Sequence, residues 1–181
     1  VSKVIEEGNR KIGYLMYNQF ASSFDRELNA VFGNFKSENI NDLIVDLRYN
    51  PGGSTRTAGY LGAMITGQFA NEIYAKQVWN QKVTNALDED NFVDNFPTSI
   101  IVNNGVNEAI NSLNLTRVYF IVSGSSASAS ELVINSLRAY IDVVLIGDTT
   151  VGKQEGSITL YDSEDYRRRG NNLNTNHTYA M

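Results

Sequence analysis

A serine-rich segment contains the residues of this sequence best placed for nucleophilic chemistry. Residues 123–131 read Ser-Gly-Ser-Ser-Ala-Ser-Ala-Ser-Glu and connect an apolar run, predicted to be a buried strand, directly to a predicted helix. Such a junction presents side chains at the carboxyl end of a parallel strand, and the free N–H groups of the first helical turn can stabilise an anion or an oxyanion. A structural interpretation is also open, because Ser128 and Glu131 fit the Ser-x-x-Glu capping box.

Lys153 is the candidate general base. It lies in the segment Thr-Thr-Val-Gly-Lys at 149–153, after the next predicted strand. Because a βαβ crossover returns the chain to the same edge of the sheet, this turn should face the serine turn, so that a serine and the lysine can meet. A lysine enclosed by apolar neighbours loses the stabilisation of its charge and becomes a workable base. The alternative is a solvated loop lysine without a catalytic role.

A third turn follows another buried strand. Residues 50–53 read Asn-Pro-Gly-Gly, and paired glycines can direct a backbone N–H toward a ligand without steric cost. Taken alone, this is a common turn with a purely structural role. Together with the other two turns, it predicts that three strand ends converge on one edge of the sheet.

The composition excludes several other chemistries. The chain has 181 residues, no cysteine, one histidine (His177) and a net charge of −5. A thiol nucleophile, a zinc-thiolate site and a disulfide are therefore excluded, and a His-based metal site or a Ser-His triad is disfavoured. A hydrolase built on this chain needs Lys, Asp or Glu as its base. The acidic balance argues against a nucleic-acid partner, and we expect neither a cofactor nor a metal.

The apolar patterns predict an α/β domain with mostly parallel strands and βαβ crossovers. The predicted strands are 12–17, 43–47, 99–102, 118–122, 143–146 and 157–161. One predicted helix has Ser22 and Asp25 placed to cap it, and its buried face consists of Phe24, Leu28, Val31, Phe32 and Phe35. A second predicted helix carries Ala58, Leu61, Met64 and Ile65. Two more are predicted at 106–113 and 131–140.

The chain is expected to form a single domain over 1–181, because it has no repeat and no low-complexity linker. Residues 67–116 are less regular and are interpreted as an insertion. No window approaches the ~20 apolar residues of a membrane span. The chain begins at Val1 without a leader pattern, which favours a fragment of a longer protein.

Three motifs in order resemble the tail-specific, or C-terminal processing, serine peptidases. They are Asp-Leu-Arg-Tyr-Asn-Pro-Gly-Gly at 46–53, Ser-Ala-Ser-Ala-Ser-Glu at 126–131 and Val-Gly-Lys at 151–153, and the resemblance covers about residues 10 to 161. It implies a crotonase-like fold and a Ser-Lys dyad in which Ser128 is the nucleophile and Lys153 the general base. It also implies an oxyanion hole made by the backbone N–H of Ala129 and of either Gly52 or Gly53.

Two departures from the family pattern concern substrate binding and the lysine. Many members carry a glutamine four residues after the lysine to orient it, whereas this chain has Ser157 there, with Gln154 and Glu155 nearby. Members commonly carry a PDZ domain that binds the substrate's C-terminus; these residues contain none, and an upstream one could belong to the full-length protein. The chain looks most like versions from Bacteroides-type bacteria, which implies export to the periplasm or cell envelope.

The leading hypothesis is a serine endopeptidase that acts on polypeptides recognised near their C-termini. An alternative of another class is a non-catalytic module that uses the same turns to hold a peptide carboxylate or another anion. Acyl-CoA chemistry on a crotonase-like scaffold is a third hypothesis, because a fold does not determine a function.

Overall fold

A computed structural model of the chain describes residues 1–102, 105–168 and 170–176, so His177 lies outside the described residues. The strands are β1 Ser2–Glu7, β2 Arg10–Met16, β3 Asp42–Asp46, β4 Ile73–Lys76, β5 Val93–Asn95, β6 Ser99–Ile101, β7 Asn107–Ala109, β8 Arg117–Val122 and β9 Asp142–Gly147. The helices are α1 Asp25–Ser37, α2 Thr55–Thr66, α3 Gln81–Thr84 and α4 Ala129–Leu137, with 3₁₀ turns at Ser22–Phe24 and Glu89–Phe92.

A five-stranded sheet in the order β1-β2-β3-β8-β9 forms the centre of the fold. The strands β2, β3, β8 and β9 are parallel, and β1 pairs with β2 in the antiparallel sense at the edge. Helix α1 connects β2 to β3, and α4 connects β8 to β9. The predicted α/β class with mostly parallel strands and βαβ crossovers is therefore confirmed, while its crotonase-like detail stays a prediction.

The hydrophobic core lies between the sheet and the helices. Phe120 on β8 and Leu43 on β3 are fully buried, and so are Phe32 and Phe35 on the predicted face of α1. Nearly all of α2 is buried as well. This packing holds the carboxyl ends of β3, β8 and β9 in place, and the three turns of interest follow those ends.

Two predictions for the start of α1 are wrong. Phe24 is 59% exposed because it precedes the helix at the N-cap position, and no side chain caps this end. Asp25 is the first helical residue, and its buried carboxylate accepts a hydrogen bond from the Thr57 hydroxyl at 2.7 Å instead of capping the helix. Tertiary contact with α2 therefore takes the place of the expected local cap.

Strand β1 was not predicted, although the sequence contains a signal for it. It forms a hairpin with β2, and Glu7 pairs with Arg10 across the two-residue turn Gly8-Asn9. Gly8 has φ +58°, as tight hairpin turns require. Because polar residues flank its short apolar centre, this edge strand lacks the continuous apolar run that identifies a buried strand.

Residues 67–116 contain two small antiparallel sheets, β4-β5 and β6-β7, outside the central sheet. The helix predicted at 106–113 is wrong, since this stretch contains β7 and then runs beside the end of α2, where Leu113 N–H donates to the Met64 carbonyl. Its apolar residues are spaced as in a helix, but they contact the core from an extended chain. The interpretation of 67–116 as an insertion stays a prediction.

The strand predicted at 157–161 is also wrong. Residues 151–160 have no regular secondary structure and are exposed. No strand pairs with them in the described part of the chain, and a β-branched run without a partner has no ladder to join. None of the helices among the described residues is long and apolar enough to cross a membrane.

Candidate active site

The serine turn after β8 and the turn after β3 are bound directly to each other. Because β3 and β8 are parallel neighbours, both turns leave the same edge of the sheet. The Ser126 hydroxyl donates to the Leu47 carbonyl at 2.7 Å, and the Ser130 hydroxyl donates to the Asn50 carbonyl at 3.0 Å. The predicted convergence of these two turns is therefore present, and serine hydroxyls hold it together.

These contacts separate Ser128 from its neighbours. Ser126 and Ser130 are fully buried and use their hydroxyls in the contacts between the turns. Ser128 is partly exposed, immediately precedes α4, and has φ +56° and ψ −113°. Residues other than glycine rarely adopt this conformation. A strained strand-to-helix turn of this kind presents its central side chain outward, toward the edge of the sheet.

Glu131 connects the serine turn to the segment that carries the lysine. Its Oε2 accepts hydrogen bonds from the backbone N–H of Ser128 at 2.7 Å and of Lys153 at 2.9 Å, and its Oε1 accepts one from the N–H of Gly152. Two nitrogens bound to one oxygen cannot lie further apart than the sum of these two distances. The structure therefore brings Ser128 and Lys153 together at the backbone, although 25 positions separate them in the sequence.

The hydrogen bonds to Glu131 favour its charged form. Partial burial raises the pKa of this carboxyl, but the Thr150 hydroxyl and the backbone N–H groups of Gly152, Ser128 and Lys153 outweigh that effect and hold the pKa below its ordinary value. The sequence identified Glu131 only as half of a capping box. The Ser128 N–H contact of that box is present, and the contacts with residues 150–153 are additional.

Lys153 itself is exposed. The segment before it is attached to the serine turn a second time, since Val151 N–H donates to the Ser126 carbonyl at 3.0 Å. The expectation of a lysine enclosed by apolar neighbours does not match this arrangement, because Lys153 and the other residues of 151–160 are exposed. Gln154, Glu155 and Ser157 are exposed too, and within the described residues they make no hydrogen bond to Lys153, so their orienting role stays a prediction.

The Asn50 side chain stabilises the turn at residues 50–53, called the glycine turn below, through two hydrogen bonds. It is fully buried, donates to the Tyr17 carbonyl at 2.9 Å and accepts a hydrogen bond from the Gly52 N–H at 2.9 Å. Gly52 has φ +106° and lies against the serine turn: a Cβ on it would be 2.7 Å from the Ser128 Cβ. Glycine is thus required at position 52 for both the backbone conformation and the close approach.

Both turns contain a backbone N–H group that lacks an acceptor among the described residues and can bind an anion. Among the described residues, neither Gly53 N–H nor Ala129 N–H has an acceptor, whereas Gly52 N–H is bound to the Asn50 side chain. Ala129 is the first residue of α4, where the helix dipole adds positive potential. The geometry thus distinguishes between the two glycines, which the sequence did not.

Asp46 supports the start of the glycine turn. This buried carboxylate closes β3, accepts from the Tyr14 hydroxyl at 2.7 Å and is bound by the Arg48 guanidinium at 2.6 Å. Burial raises the pKa of Asp46, but the hydrogen bonds from Arg48 and Tyr14 outweigh it and keep the pKa below the ordinary aspartate value. These contacts hold the chain where it turns from the strand toward Asn50.

Comparisons with solved structures extend over nearly the whole chain. An S41 protease from Bacteroides fragilis NCTC 9343 is 28% identical, with a TM-score of 0.75 over 92% of this chain and 42% of its own. The photosystem II D1 C-terminal processing protease is 18% identical, with a TM-score of 0.57 over 83% of this chain and 34% of its own. Mature CPAF in complex with lactacystin is 16% identical, with a TM-score of 0.57 over 92% of this chain and 43% of its own.

The chain spans less than half of the length of each of these three structures. The two that are less than 25% identical show a shared fold and nothing beyond it. No curated protein matches the chain. The model of peptidase family S41 matches residues 11–165, a range that includes all three turns of the candidate site. This chain therefore belongs to peptidase family S41.

Proposed function

We propose that this protein is a serine endopeptidase of the C-terminal processing type, with Ser128 as nucleophile and Lys153 as general base. The observation that carries the proposal is the Glu131 carboxylate, which binds the backbone of both residues and thereby holds two strand-end turns side by side. A nucleophile and a base from distant parts of the chain need such a shared support. Membership of family S41 supports a polypeptide as the substrate.

In the proposed reaction, the Ser128 hydroxyl oxygen attacks the carbonyl carbon of a peptide bond while the Lys153 amine takes its proton. The carbonyl oxygen becomes an oxyanion, and the N–H groups of Ala129 and Gly53 bind it. The tetrahedral intermediate collapses, Lys153 gives the proton to the leaving amine, and an acyl-enzyme remains on Ser128. Water, activated by Lys153, then releases the acid and restores the serine.

Gly53 is favoured over Gly52 as the second oxyanion donor because of the hydrogen bonds already formed in the turn. Gly52 N–H is bound to the Asn50 side chain, whereas Gly53 N–H has no acceptor among the described residues. A preorganised donor that has no other partner does not have to break a bond to stabilise the transition state.

Because Lys153 is exposed, the proposed reaction requires the bound substrate to change the surroundings of its amine. Its amine has to be neutral to accept a proton, and the residue is exposed to water in this structure. We propose that the bound peptide excludes water from this amine and so favours its neutral form. Recognition near the substrate's C-terminus, a PDZ domain elsewhere in the protein and export of the protein rest on the family resemblance.

Replacement of the nucleophile tests the proposal. Ser128→Ala in the full-length protein should lower turnover of an unfolded protein substrate by about 10⁶-fold, as loss of a serine nucleophile does in another hydrolase. Lys153→Ala should also reduce turnover by orders of magnitude. Ser125→Ala is the matched control, because Ser125 lies in the same turn with an exposed side chain, and it should retain wild-type turnover.

A fluorophosphonate probe measures the same site without a substrate. Labelling of the wild-type protein at Ser128, with none in Ser128→Ala, is the expected result. Unchanged cleavage by purified Ser128→Ala would rule out the proposed nucleophile. An unlabelled wild-type protein that binds peptides but does not cleave them would identify the chain as the binding module instead.

A further inference from the structure

A groove beside the candidate site has no role in the proposed reaction. It lies between the first two turns of α2 and the small sheets β4-β5 and β6-β7, with a volume of about 500 Å³, and Leu132 of α4 forms part of its wall. This volume falls within the range of about 300–1,000 Å³ that is typical of ligand sites. The groove could therefore hold a large side chain together with its flanking backbone.

Gly59 creates the space on the helical side of the groove. It lies inside α2 without a positive φ, so the backbone does not require glycine there, and glycine in a helix is less stable than alanine by about 1 kcal/mol. A Cβ at this position would meet the Tyr74 ring at 3.8 Å and Pro97 at 3.9 Å, which are ordinary contacts. By contrast, a Cβ on Gly62 would lie 2.8 Å from Tyr74, so that glycine serves packing.

The groove begins at the residues that carry the proposed chemistry. Thr55, in its lining, follows Gly53 by two positions and is the first residue of α2. Leu132 lies one helical turn beyond Ser128, since its N–H donates to the Ser128 carbonyl at 2.8 Å. An extended peptide advances about 3.3 Å per residue and a helical turn rises about 5.4 Å. A peptide whose carbonyl reaches Ser128 can therefore place a side chain about two residues away in the groove.

The lining is suited to an apolar side chain. The lining includes two aromatic rings (Tyr60 and Tyr74), Pro97, Ile101 and Leu132, and Ile101 is a large apolar residue left 46% exposed. The Tyr60 hydroxyl oxygen accepts a hydrogen bond from the Ile101 N–H at 3.2 Å.

The charges in the lining do not favour a charged ligand. Arg56 and Asp94 are both present there and are of opposite sign, and Asp94 already accepts a hydrogen bond from the Gln77 side chain at 2.9 Å. Neither an acidic nor a basic side chain gains a net attraction from such a pair, whereas apolar burial gains from the rings and the proline.

We propose that this groove binds an apolar side chain of the substrate polypeptide, aromatic or large aliphatic, about two residues from the bond that is cleaved. The inference rests on the proposed peptidase function for the identity of the occupant. In this proposal the groove determines which substrate sequences are preferred. The size of the side chain at position 59 controls that preference.

The first experiment is cleavage of a proteome-derived peptide library by the full-length protein. The expected result is enrichment of Phe, Tyr, Trp, Leu and Ile at one position near the cleaved bond. Gly59→Leu should abolish this enrichment because its side chain fills the groove, and Gly59→Ala should reduce it by a smaller factor. Asn34→Leu adds the same side chain to the exposed surface of α1 and should leave the enrichment intact.

The second experiment does not depend on turnover. In the Ser128→Ala background, a fluorescent alanine-based nonapeptide with a central Phe should bind about tenfold or more tightly than the same peptide with a central Ser. Gly59→Leu should remove this difference, and thermal unfolding should show that the variant is folded. If Gly59→Ala and Gly59→Leu both keep the wild-type preference for Phe, or if the wild-type groove shows none, the proposal is wrong.

The two readouts separate this inference from the proposed function. A protein that shows no Ser128-dependent cleavage but still prefers the Phe peptide, and loses that preference in Gly59→Leu, supports the groove and rejects the peptidase. A protein that cleaves through Ser128 without any apolar enrichment rejects the groove and supports the peptidase.

Discussion

One carboxylate determines how the candidate site is held together at the scale of residues. Glu131 receives backbone N–H groups from Ser128, Gly152 and Lys153 and a hydroxyl from Thr150. Hydrogen bonds to an ionised acceptor are about twice as strong as neutral ones, and the position in the first turn of α4 adds favourable dipole interaction. Glu131 is a positioning residue, because it contacts the backbone of the proposed nucleophile and base and not their reacting atoms.

Glu131→Gln tests this positioning role. Glutamine retains one acceptor oxygen but presents an N–H₂ group to N–H donors, so at least one strong hydrogen bond is lost, which is worth about 1.5–3 kcal/mol. If that energy holds Lys153 beside Ser128, turnover should fall by about 10- to 100-fold. Steady-state kinetics with an unfolded protein substrate, together with fluorophosphonate labelling of Ser128, measure the effect.

Asp148→Asn is the control for the charge change, since Asp148 is exposed shortly before the same segment and makes no hydrogen bond to Ser128 or Lys153 in the described part of the chain. It should retain wild-type turnover. Equal losses in the two variants would show that charge near the segment, and not the bonds to Glu131, affects the rate.

At the scale of elements, the site depends on strand ends that come within van der Waals contact. Gly52 follows β3 and Ser128 follows β8, and both have positive φ values, +106° and +56°. The parallel pairing of β3 with β8 places the two turns against each other. The remaining gap is too small for a methyl group, because a Cβ on Gly52 would also lie 2.8 Å from the Ala127 carbonyl oxygen.

Gly52→Ala should therefore disrupt the candidate site. The added methyl group has to push the Ser128 turn away, and the positive φ adds strain of about 1–3 kcal/mol. We expect turnover to fall by more than about 100-fold and the midpoint of chemical denaturation to decrease.

Gly8→Ala is the matched control, because Gly8 also has a positive φ but a Cβ there would meet nothing within 4 Å. It should lose stability through backbone strain and keep its turnover per folded molecule. If Gly52→Ala is as active as Gly8→Ala, the close contact is not needed for the reaction.

At the scale of the whole molecule, stability is linked to pH through buried carboxylates. Asp46 closes the central strand β3 and is bound by Arg48 and Tyr14. Its pKa in the folded protein lies below the ordinary value. Such a group stabilises the fold fully above its unfolded pKa of about 3.9, and the contribution disappears as the pH falls through the folded pKa. Asp25, whose pKa burial raises, contributes with the opposite sign.

Asp46→Asn isolates this contribution. At pH 7 the variant should unfold more easily by about 1–3 kcal/mol, since Arg48 and Tyr14 lose a charged partner. The difference from wild type should be constant above about pH 5 and should shrink as the pH falls below about 4. Chemical denaturation of both proteins from pH 2.5 to 7 measures it, and the Asp25 contribution cancels in the comparison.

Asp88→Asn is a control at an exposed carboxylate and should follow the wild-type curve at each pH. A stability difference between Asp46→Asn and wild type that stays constant down to pH 2.5 would contradict the assigned role of Asp46.

The sequence predicted the elements that bury a continuous apolar face. The strands predicted at 43–47 and 118–122 and the helices predicted around Ala58–Ile65 and at 131–140 have apolar patterns strong enough to identify them. The strand predicted at 143–146 is also present, although it lies at the edge of the sheet and none of its residues is buried. The prediction failed where a short segment depends on its partner: 107–109 became a strand because β6 lies beside it, and 157–161 has no partner strand among the described residues.

The sequence by itself determined which residue types meet at the end of the sheet, because parallel strands joined by helices bring their carboxyl ends to one edge whatever the details of packing. It also determined the family, through the order of three short motifs. Only the tertiary structure decided that Glu131 bonds to the backbone of both Ser128 and Lys153, and that Lys153 is exposed. It also decided that the Asn50 side chain binds the Gly52 N–H, whereas the Gly53 N–H has no acceptor among the described residues. These facts depend on distances of a few ångströms between residues far apart in the chain, and no local pattern encodes such distances.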